Sequence, residues 1–161
     1  MQILKPKFFF EKIYDIKEDF LKENNIKALI LDVDNTLTLH DSPDLNPKIS
    51  QWIEKMKEKN IPLVILSNNS PQRVKPLAKA LGLEFFTGTK PNKKDYEKVL
   101  NFLNLPRENV AGVGDQIFTD VWGANRAGII SILTRPFSKD EPPHVKFKRL
   151  LEKPIWKGID K

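Results

Sequence analysis

Two aspartates one residue apart, Asp32 and Asp34, end an apolar run in this chain, and Thr36 follows them. If the backbone stays extended through Val33, both carboxylates project from the same side, because strand side chains alternate with a period of two. Like charges this close repel each other unless a cation lies between them or one carboxyl keeps its proton. The pair therefore indicates a metal site, a phosphoryl transfer, or both.

Polar side chains also follow three other apolar segments of the chain. Because strands alternate with helices, these segments are predicted to be parallel strands whose carboxyl ends share one edge of a sheet, where ligands bind. We therefore expect several carboxylates, a hydroxyl and an ammonium group around one small volume. The further residues are Ser67 and Asn68, Lys90, Asp115 and Asp120.

This set of side chains is typical of a site for a hard cation and a phosphate. The chain has no cysteine, and only His40 and His144 could offer imidazole ligands. Mg²⁺ prefers one or two carboxylates with water and substrate phosphate, while a lysine and a serine can hold phosphate oxygens. One aspartate could then be the nucleophile and its neighbour the general acid and base. Each of the other residues has an ordinary alternative role at a turn, a helix start or the surface, so the hypothesis depends on their joint occurrence.

The elements that would position these residues follow from apolar periodicity and from helix start and stop signals. Strands are predicted at 28–31, 62–66, 84–87, 109–113 and 129–133, and helices at 47–58, 71–81, 93–103 and 119–127. The predicted fold class is therefore α/β, with a parallel five-stranded sheet and helices on both of its faces.

Two flanks accompany this core in a chain of 161 residues, which we expect to form one domain, 1–161. The catalytic core is 27–134. The N-terminal flank, 1–26, is predicted to be helical because its apolar residues have the spacing of one helix face. The tail, 135–161, carries eight Lys or Arg and four acidic residues, so it supplies +4 of the chain's net charge of +6. A short amphipathic helix is predicted in this tail, near 145–151. The residues behind the N-terminal prediction are Phe9, Ile13, Ile16 and Phe20.

Composition also limits the location and the partners of the protein. No apolar run approaches the roughly 20 residues that a transmembrane helix needs, and without cysteine there is no disulfide framework. We therefore expect a cytoplasmic protein without a transmembrane segment. The basic tail favours an anionic surface, such as phospholipid headgroups or nucleic acid. The alternative is a solvated, lysine-rich surface of the kind found in heat-adapted proteins.

Taken together, the polar motifs resemble the four motifs of the haloacid dehalogenase superfamily, in the same order along 27–134. The resemblance implies a Rossmann-like three-layer sandwich with a sheet of strand order 5-4-1-2-3. Threonine two positions after the second aspartate is similar to the phosphatase members rather than to the dehalogenases. The matching segments are Asp32-Val33-Asp34-Asn35-Thr36, Leu66-Ser67-Asn68, Lys90-Pro91, and Gly114-Asp115 with Asp120.

The resemblance implies a catalytic and metal-binding role for four aspartates. Asp32 would be the nucleophile and a Mg²⁺ ligand. Asp34 would be the general acid and base and would offer its backbone carbonyl to the metal. Asp115 would be the second carboxylate on Mg²⁺, and Asp120 would contact a metal-bound water or the lysine of the third motif.

The resemblance also implies a phosphate site built from four other residues. Ser67, with Asn68 beside it, would bind the transferring phosphoryl group. Lys90 would bind the same group and neutralise Asp32, while Thr36 would position the second aspartate and the local backbone around the phosphate.

Over nearly the whole chain, the segments 4–16, 32–44, 67–69 and 114–121 are similar to the YqeG-type phosphatases of subfamily IIIA. The better-understood relatives in that group dephosphorylate phosphatidylglycerophosphate, a step toward phosphatidylglycerol and cardiolipin. The resemblance thus implies a lipid headgroup as substrate, met at the inner face of the membrane, and no stable complex with nucleic acid.

The two places where this superfamily inserts cap domains are predicted to hold only a loop and one helix each. A site without a lid stays open to water and suits a large or surface-presented substrate. Two alternatives remain at this stage: a phosphatase of soluble nucleotide or sugar phosphates, and a non-catalytic module that binds RNA or another anion through the basic tail.

Overall fold

A parallel sheet of six strands forms the centre of the protein in the computed structural model, which describes residues 2–40 and 42–161. The order of the strands across the sheet is β1-β6-β5-β2-β3-β4, and every neighbouring pair is parallel. The strands are β1 (Phe8–Phe10), β2 (Ala28–Leu31), β3 (Leu63–Ser67), β4 (Glu84–Thr87), β5 (Val110–Gly114) and β6 (Ile130–Thr134).

In residues 2–40 and 42–161, six α-helices accompany the sheet, and several begin and end where the sequence signals place them. Asn46 caps one helix by accepting a hydrogen bond from the Lys48 amide at 2.9 Å, and another ends at Gly82, whose φ of 65° favours glycine. A π-helical turn, Ile117–Val121, precedes the fifth helix. The helices are α1 (Glu18–Glu23), α2 (Pro47–Glu58), α3 (Pro71–Leu81), α4 (Lys93–Leu103), α5 (Trp122–Ala127) and α6 (Pro143–Ile159).

Alternation along β2 divides the interior into two apolar layers, one on each face of the sheet. Leu29 and Leu31 pack in a cluster with the apolar faces of α2 and α3. Ala28 and Ile30 point the other way, into a cluster formed with α4 and α5. All four side chains are buried, as expected for a parallel strand covered by helices on both faces.

The predicted fold class and the predicted strand order are confirmed, because β6-β5-β2-β3-β4 is the order 5-4-1-2-3 in the numbering of the five predicted strands. Three of these strands, β3, β5 and β6, begin and end one residue later than predicted. As a result Ser67 and Gly114 are strand residues, and their polar neighbours leave the sheet directly at its edge.

The prediction of a helical face through the N-terminal apolar residues is wrong. Phe8–Phe10 is instead a sixth strand at the edge of the sheet, paired with β6. Phe8 and Phe10 both contact the Phe20 ring, with centroids 4.9 and 4.8 Å away, whereas Phe9 points to the opposite face and contacts Trp156 at 5.7 Å. Aromatic residues favour strands. These three rings pack on alternate faces of the sheet, as strand side chains do, and not along one face of a helix.

The tail forms a longer helix than predicted, since α6 spans 17 residues and is not confined to 145–151. Within the described ranges, α2 is the one helix between β2 and β3, and α4 is the one α-helix between β4 and β5. Neither connection holds an inserted domain among these residues. In the parts of the chain that the structure describes, no helix has both the length and the apolar character needed to cross a membrane.

Candidate active site

The two aspartates of the opening motif lie in a tight turn directly after β2. The Asp32 amide extends the sheet by donating to the Val113 carbonyl at 3.0 Å. The chain then folds back, so that the Val33 carbonyl accepts from three consecutive amides, those of residues 36–38, at 2.8 to 3.2 Å. Asn35 has a φ of 58°, a left-handed conformation that asparagine tolerates better than most residues. This turn holds both carboxylates at the carboxyl edge of the sheet.

A cleft of about 270 Å³ opens at this edge, and five of the predicted site residues line it. They are Asp32, Asp34, Ser67, Asn68 and Lys90. Residues that sequence reasoning did not assign to the site complete the lining: His40, Asn69, Gln116, Thr119, Pro142, His144, Val145 and Lys148.

The Lys90 ammonium lies between two carboxylates at the bottom of this cleft. Its Nζ is 2.8 Å from Asp32 Oδ1 and 2.6 Å from Asp120 Oδ1, and its side chain is only 4% exposed. Burial alone would lower the pKa of Lys90, but the charges of Asp120 and Asp32 outweigh it and raise that pKa well above its usual value. The lysine is therefore a fixed positive charge beside Asp32.

The Asn68 side chain binds the backbone of Lys90, so its amide group is not free to bind a ligand in the cleft. Its Oδ1 accepts from the Lys90 amide at 2.6 Å, and its Nδ2 donates to the Lys90 carbonyl at 3.1 Å. The side-chain amide is thus occupied at both ends. Ser67, by contrast, is buried at the end of β3, where its hydroxyl accepts from the Asn69 amide at 3.1 Å.

Three carboxylates converge beside the lysine. Asp32, Asp115 and Asp120 each place an oxygen within 4.8 Å of the other two. Burial raises the pKa of Asp115 well above its usual value and also raises the pKa of Asp120, and the nearby charge of Asp32 adds to both effects. A divalent cation would relieve this repulsion, and three carboxylates without sulfur are a donor set that a hard cation accepts.

The position of Asp120 depends on a glycine. A Cβ atom on Gly114 would lie 2.2 Å from the Asp120 Cγ, so no other residue leaves room for that carboxylate. Asp120 Oδ2 also accepts from the Gln116 amide at 3.0 Å, which closes the loop after β5 around it. The sequence left two contacts open for Asp120, a metal-bound water or Lys90, and the structure shows the contact with Lys90. The same carboxylate also joins the acidic cluster.

Asp34 and Thr36 make different contacts from the other members of the first motif. The Asp34 carboxylate accepts from Asn69 Nδ2 and lies 3.6 Å from Arg73 Nη2, outside the acidic cluster. Thr36 is buried and donates from its hydroxyl to Asp115 Oδ1 at 3.3 Å. Its side chain therefore fixes an acidic residue of the cluster.

Comparison with known proteins decides the family. The sequence profile of the haloacid dehalogenase-like hydrolases matches residues 38–128, which is more than half of the chain. This chain belongs to the haloacid dehalogenase-like hydrolases. The matched segment includes Ser67, Lys90, Asp115 and Asp120, while Asp32 lies just before it.

Two relatives of this hydrolase cover most of its length. The protein named Probable phosphatase YqeG of Bacillus subtilis (strain 168) is 36% identical over 155 residues, which span 96% of this chain and 90% of the relative. Phosphatidylglycerophosphate phosphatase 1, chloroplastic/mitochondrial, of Arabidopsis thaliana is 26% identical over 154 residues. That match covers 89% of this chain but only 44% of the longer plant protein.

Solved structures share the fold of this haloacid dehalogenase-like hydrolase. An uncharacterized protein from Listeria monocytogenes serotype 4b aligns with a TM-score of 0.59 at 22% identity, covering 73% of this chain and 85% of the other. The cobalt-bound deoxy-D-mannose-octulosonate 8-phosphate phosphatase from Haemophilus influenzae aligns with a TM-score of 0.57 at 22% identity, covering 79% and 77%. At such identities the likeness concerns the fold.

The C-terminal part of this hydrolase supplies a site residue that the sequence did not reveal. Arg149, on α6, donates through Nη1 to the Asp115 carbonyl at 2.5 Å and through Nη2 to the Asp115 carboxylate. It also makes two bonds to Glu141, at 3.0 and 2.9 Å, and Glu141 accepts in turn from Asn35 at 2.9 Å. Burial would lower the pKa of Arg149, but Asp115 and Glu141 raise it.

These contacts leave a net negative charge at the acidic cluster, and such a charge suits a divalent cation. Asp32, Asp115 and Asp120 share the two cations Lys90 and Arg149, and Arg149 is also paired with Glu141, so the carboxylates outnumber the cations within this group. No local motif in the sequence identifies Arg149, because its partner lies 34 residues away. The basic composition of the tail is the only sequence signal that points toward it.

Proposed function

We propose that this hydrolase is a Mg²⁺-dependent phosphomonoesterase that works through an aspartyl-phosphate and acts on a phospholipid phosphate, phosphatidylglycerophosphate. The observation that carries the proposal is the position of Asp32. Its carboxylate is 2.8 Å from the buried Lys90 ammonium, belongs to the acidic cluster and lines an open cleft. The Lys90 ammonium offsets the charge repulsion between this carboxylate and an approaching anionic phosphate, which a carboxylate nucleophile requires.

In the proposed reaction, a carboxylate oxygen of Asp32 attacks phosphorus and the bond from phosphorus to the alcohol oxygen breaks. Asp34 gives its proton to the departing oxygen and then takes a proton from the water that hydrolyses the aspartyl-phosphate, releasing inorganic phosphate. Asn69 and Arg73 contact the Asp34 carboxylate and orient it toward the cleft.

Charge on the transferring group is balanced by groups already present. Lys90 faces the oxygens around Asp32, and the Ser67 hydroxyl, together with the backbone amide of Asn68, is assigned to the phosphate. Asp32 and Asp115 are the residues that would hold Mg²⁺, with the Asp34 carbonyl as a further ligand. When bound, the metal would shield the charge of the phosphate and stabilise its transfer. Asp120 and Thr36 hold Lys90 and Asp115 in place.

Two observations support a lipid as the substrate. The cleft is not covered by an inserted domain among the described residues, so it can accept a phosphate that projects from a surface. The Arabidopsis relative carries the name of a phosphatidylglycerophosphate phosphatase, and the Bacillus relative carries that of a phosphatase. We therefore also propose that the enzyme works in phospholipid biosynthesis in the cytoplasm, at the inner face of the membrane.

The test compares initial rates on micellar phosphatidylglycerophosphate with rates on a panel of soluble nucleotide and sugar phosphates. Each substrate is measured with Mg²⁺ and with EDTA, for the wild type, for Asp32→Asn and for the control Asp19→Asn, whose exposed aspartate lies on α1. We expect the highest kcat/KM on the lipid, loss of activity with EDTA and in Asp32→Asn, and normal rates in the control.

A higher kcat/KM on a soluble phosphate would overturn the lipid substrate, whereas the assignment as a phosphatase would stand. Equal rates in Asp32→Asn and wild type would overturn the mechanism. If no substrate is hydrolysed, and salt-sensitive RNA binding persists in Asp32→Asn, the protein is an anion-binding module instead.

A further inference from the structure

Helix α6 is fixed to the active site along one of its faces. Glu152 Oε1 accepts from the amides of Ile117 and Phe118, at 2.8 and 3.1 Å, in the turn that follows Asp115. Arg149, on the same face, binds Asp115 itself, and Trp156 packs with the apolar cluster beneath β6. The orientation of this helix relative to the cleft is therefore set by buried contacts.

The opposite face of α6 is apolar and exposed. Phe147, Leu150 and Leu151 are 61%, 54% and 51% exposed, and they are three of the six large exposed hydrophobic residues in the described parts of the chain. Since a helix turns about 100° per residue, positions i, i+3 and i+4 fall on one side. We call these three residues the apolar strip of α6.

Positive charges border this strip, and no residue within α6 adds an exposed negative charge. Lys146, Lys153 and Lys157 are exposed and lie along one side of it, at positions that share a narrow sector of the helix. Lys148 lies on the other side and lines the active-site cleft. The only acidic residue of α6 is Glu152, which is buried. Lysines beside an apolar helix face are typical of a helix that lies in the plane of a membrane surface.

Charge complementarity decides which occupant fits the strip. A second copy of the chain, packed symmetrically on the same face, would bring the row of lysines close to its own duplicate. An anionic bilayer offers apolar chains for the strip and negative headgroups for the lysines. His144 and Lys148, from the same helix, line the cleft, so a headgroup at that surface would lie beside the catalytic carboxylates.

We propose that the apolar strip of α6 and its row of lysines dock this enzyme on an anionic lipid bilayer and present headgroup phosphates to the cleft. The presentation of substrate rests on the lipid phosphatase proposed above, whereas docking itself rests on the surface of α6. The two parts can therefore fail separately.

Vesicle binding tests the docking surface. Sedimentation is measured with vesicles of phosphatidylcholine alone and with vesicles that also contain phosphatidylglycerol. One variant combines Phe147→Ser, Leu150→Ser and Leu151→Ser. A second combines Lys146→Gln, Lys153→Gln and Lys157→Gln. The controls, on the exposed surface of α4, are Phe102→Ser and a charge-matched triple variant, Lys93→Gln with Lys94→Gln and Lys98→Gln.

We expect the wild type to bind only the anionic vesicles. The lysine variant should bind them roughly 100-fold more weakly, from about fivefold per lysine near an anionic surface. The serine variant should lose more than tenfold of its affinity, because its apolar strip no longer enters the interface. Both α4 controls should bind like the wild type. All variants should keep the wild-type rate on a soluble phosphomonoester, which shows that the fold and the catalytic centre are intact.

Three results would overturn the docking proposal. The first is that the wild type does not bind vesicles, and the second is that the α6 and α4 variants lose equal vesicle affinity. The third is that the serine variant changes from dimer to monomer while its vesicle affinity stays the same. If the enzyme hydrolyses micellar phosphatidylglycerophosphate while the α6 variants bind vesicles normally, docking fails and the lipid substrate stands. If vesicle binding needs α6 but no lipid phosphate is hydrolysed, docking stands and the proposed substrate fails.

Discussion

Replacing Arg149 by methionine tests whether the tail stabilises the acidic cluster. The guanidinium makes two hydrogen bonds to Glu141, at 3.0 and 2.9 Å, and two to Asp115. The side chains of Asp115 and Glu141 are 0% and 4% exposed, so water cannot replace the lost partner. Methionine keeps much of the length of the side chain and removes the charge and the donors.

The magnitude follows from the burial of these groups. Removing one partner of a buried ion pair costs about 3–5 kcal/mol of the free energy of unfolding. For a domain of this size each kcal/mol lowers Tm by about 2–4 °C, so Arg149→Met should unfold roughly 6–20 °C below the wild type. The exposed Arg126→Met on α5 is the control, and we expect its Tm to stay close to that of the wild type.

Calorimetry in EDTA and then in Mg²⁺ measures this effect. A cation at the acidic cluster would replace part of the charge that Arg149 supplied to Asp115, so Mg²⁺ should raise the Tm of the variant more than that of the wild type. A variant that unfolds in EDTA within about 2 °C of the wild type would refute the argument, because a contribution below roughly 1 kcal/mol is typical of a surface pair. A Mg²⁺-induced rise no larger than that of the wild type would refute the link between Arg149 and the metal site.

Three further substitutions test individual groups of the site. Gly114→Ala should displace the Asp120 carboxylate, which a Cβ would approach to 2.2 Å, and should lower both Tm and kcat, as measured by calorimetry and phosphate release. Lys90→Met should cost about 3–5 kcal/mol of the free energy of unfolding by denaturant, since it leaves Asp32 and Asp120 without their shared cation. Asp34→Asn should reduce kcat by roughly 10²- to 10⁴-fold without a comparable change in Tm, because asparagine keeps the shape of this cleft-lining side chain and removes only the proposed general acid and base.

Each of these expectations has a result that contradicts it. Wild-type kcat in Gly114→Ala would mean that the position of Asp120 does not matter for the reaction. If Lys90→Met has the same free energy of unfolding as the wild type, the buried ion pairs of Lys90 do not stabilise the protein. Retention of full kcat in Asp34→Asn would assign proton transfer to another group, and the exposed Asp44→Asn serves as its matched control.

Local signals were sufficient to predict most of the fold. Asn46 and Pro47 mark the start of α2, and Gly82 marks the end of α3, because capping and backbone preference act within a few residues. The gathering of Asp32, Ser67 and Lys90 was also predictable, since the carboxyl ends of parallel strands share one edge.

What the sequence did not reveal depends on contacts between distant segments. Arg149 looks like one more surface lysine or arginine until α6 packs beside Asp115, 34 residues away. The spacing of Phe9, Ile13 and Ile16 fits a helix, but pairing with β6 and contact with Phe20 favour an edge strand for Phe8–Phe10. Tertiary packing overrides periodicity in so short a segment.

That edge strand also protects the protein against self-association. β1 has only three residues, yet it occupies the hydrogen-bonding side of β6 that would otherwise be open to a strand from another molecule. Phe9 of the same strand contacts Trp156 on α6, so the segment that shields the sheet also helps to seat the helix that reaches the acidic cluster. Detachment of these three residues would therefore expose an aggregation-prone edge and, in the same event, loosen the helix that contacts the acidic cluster.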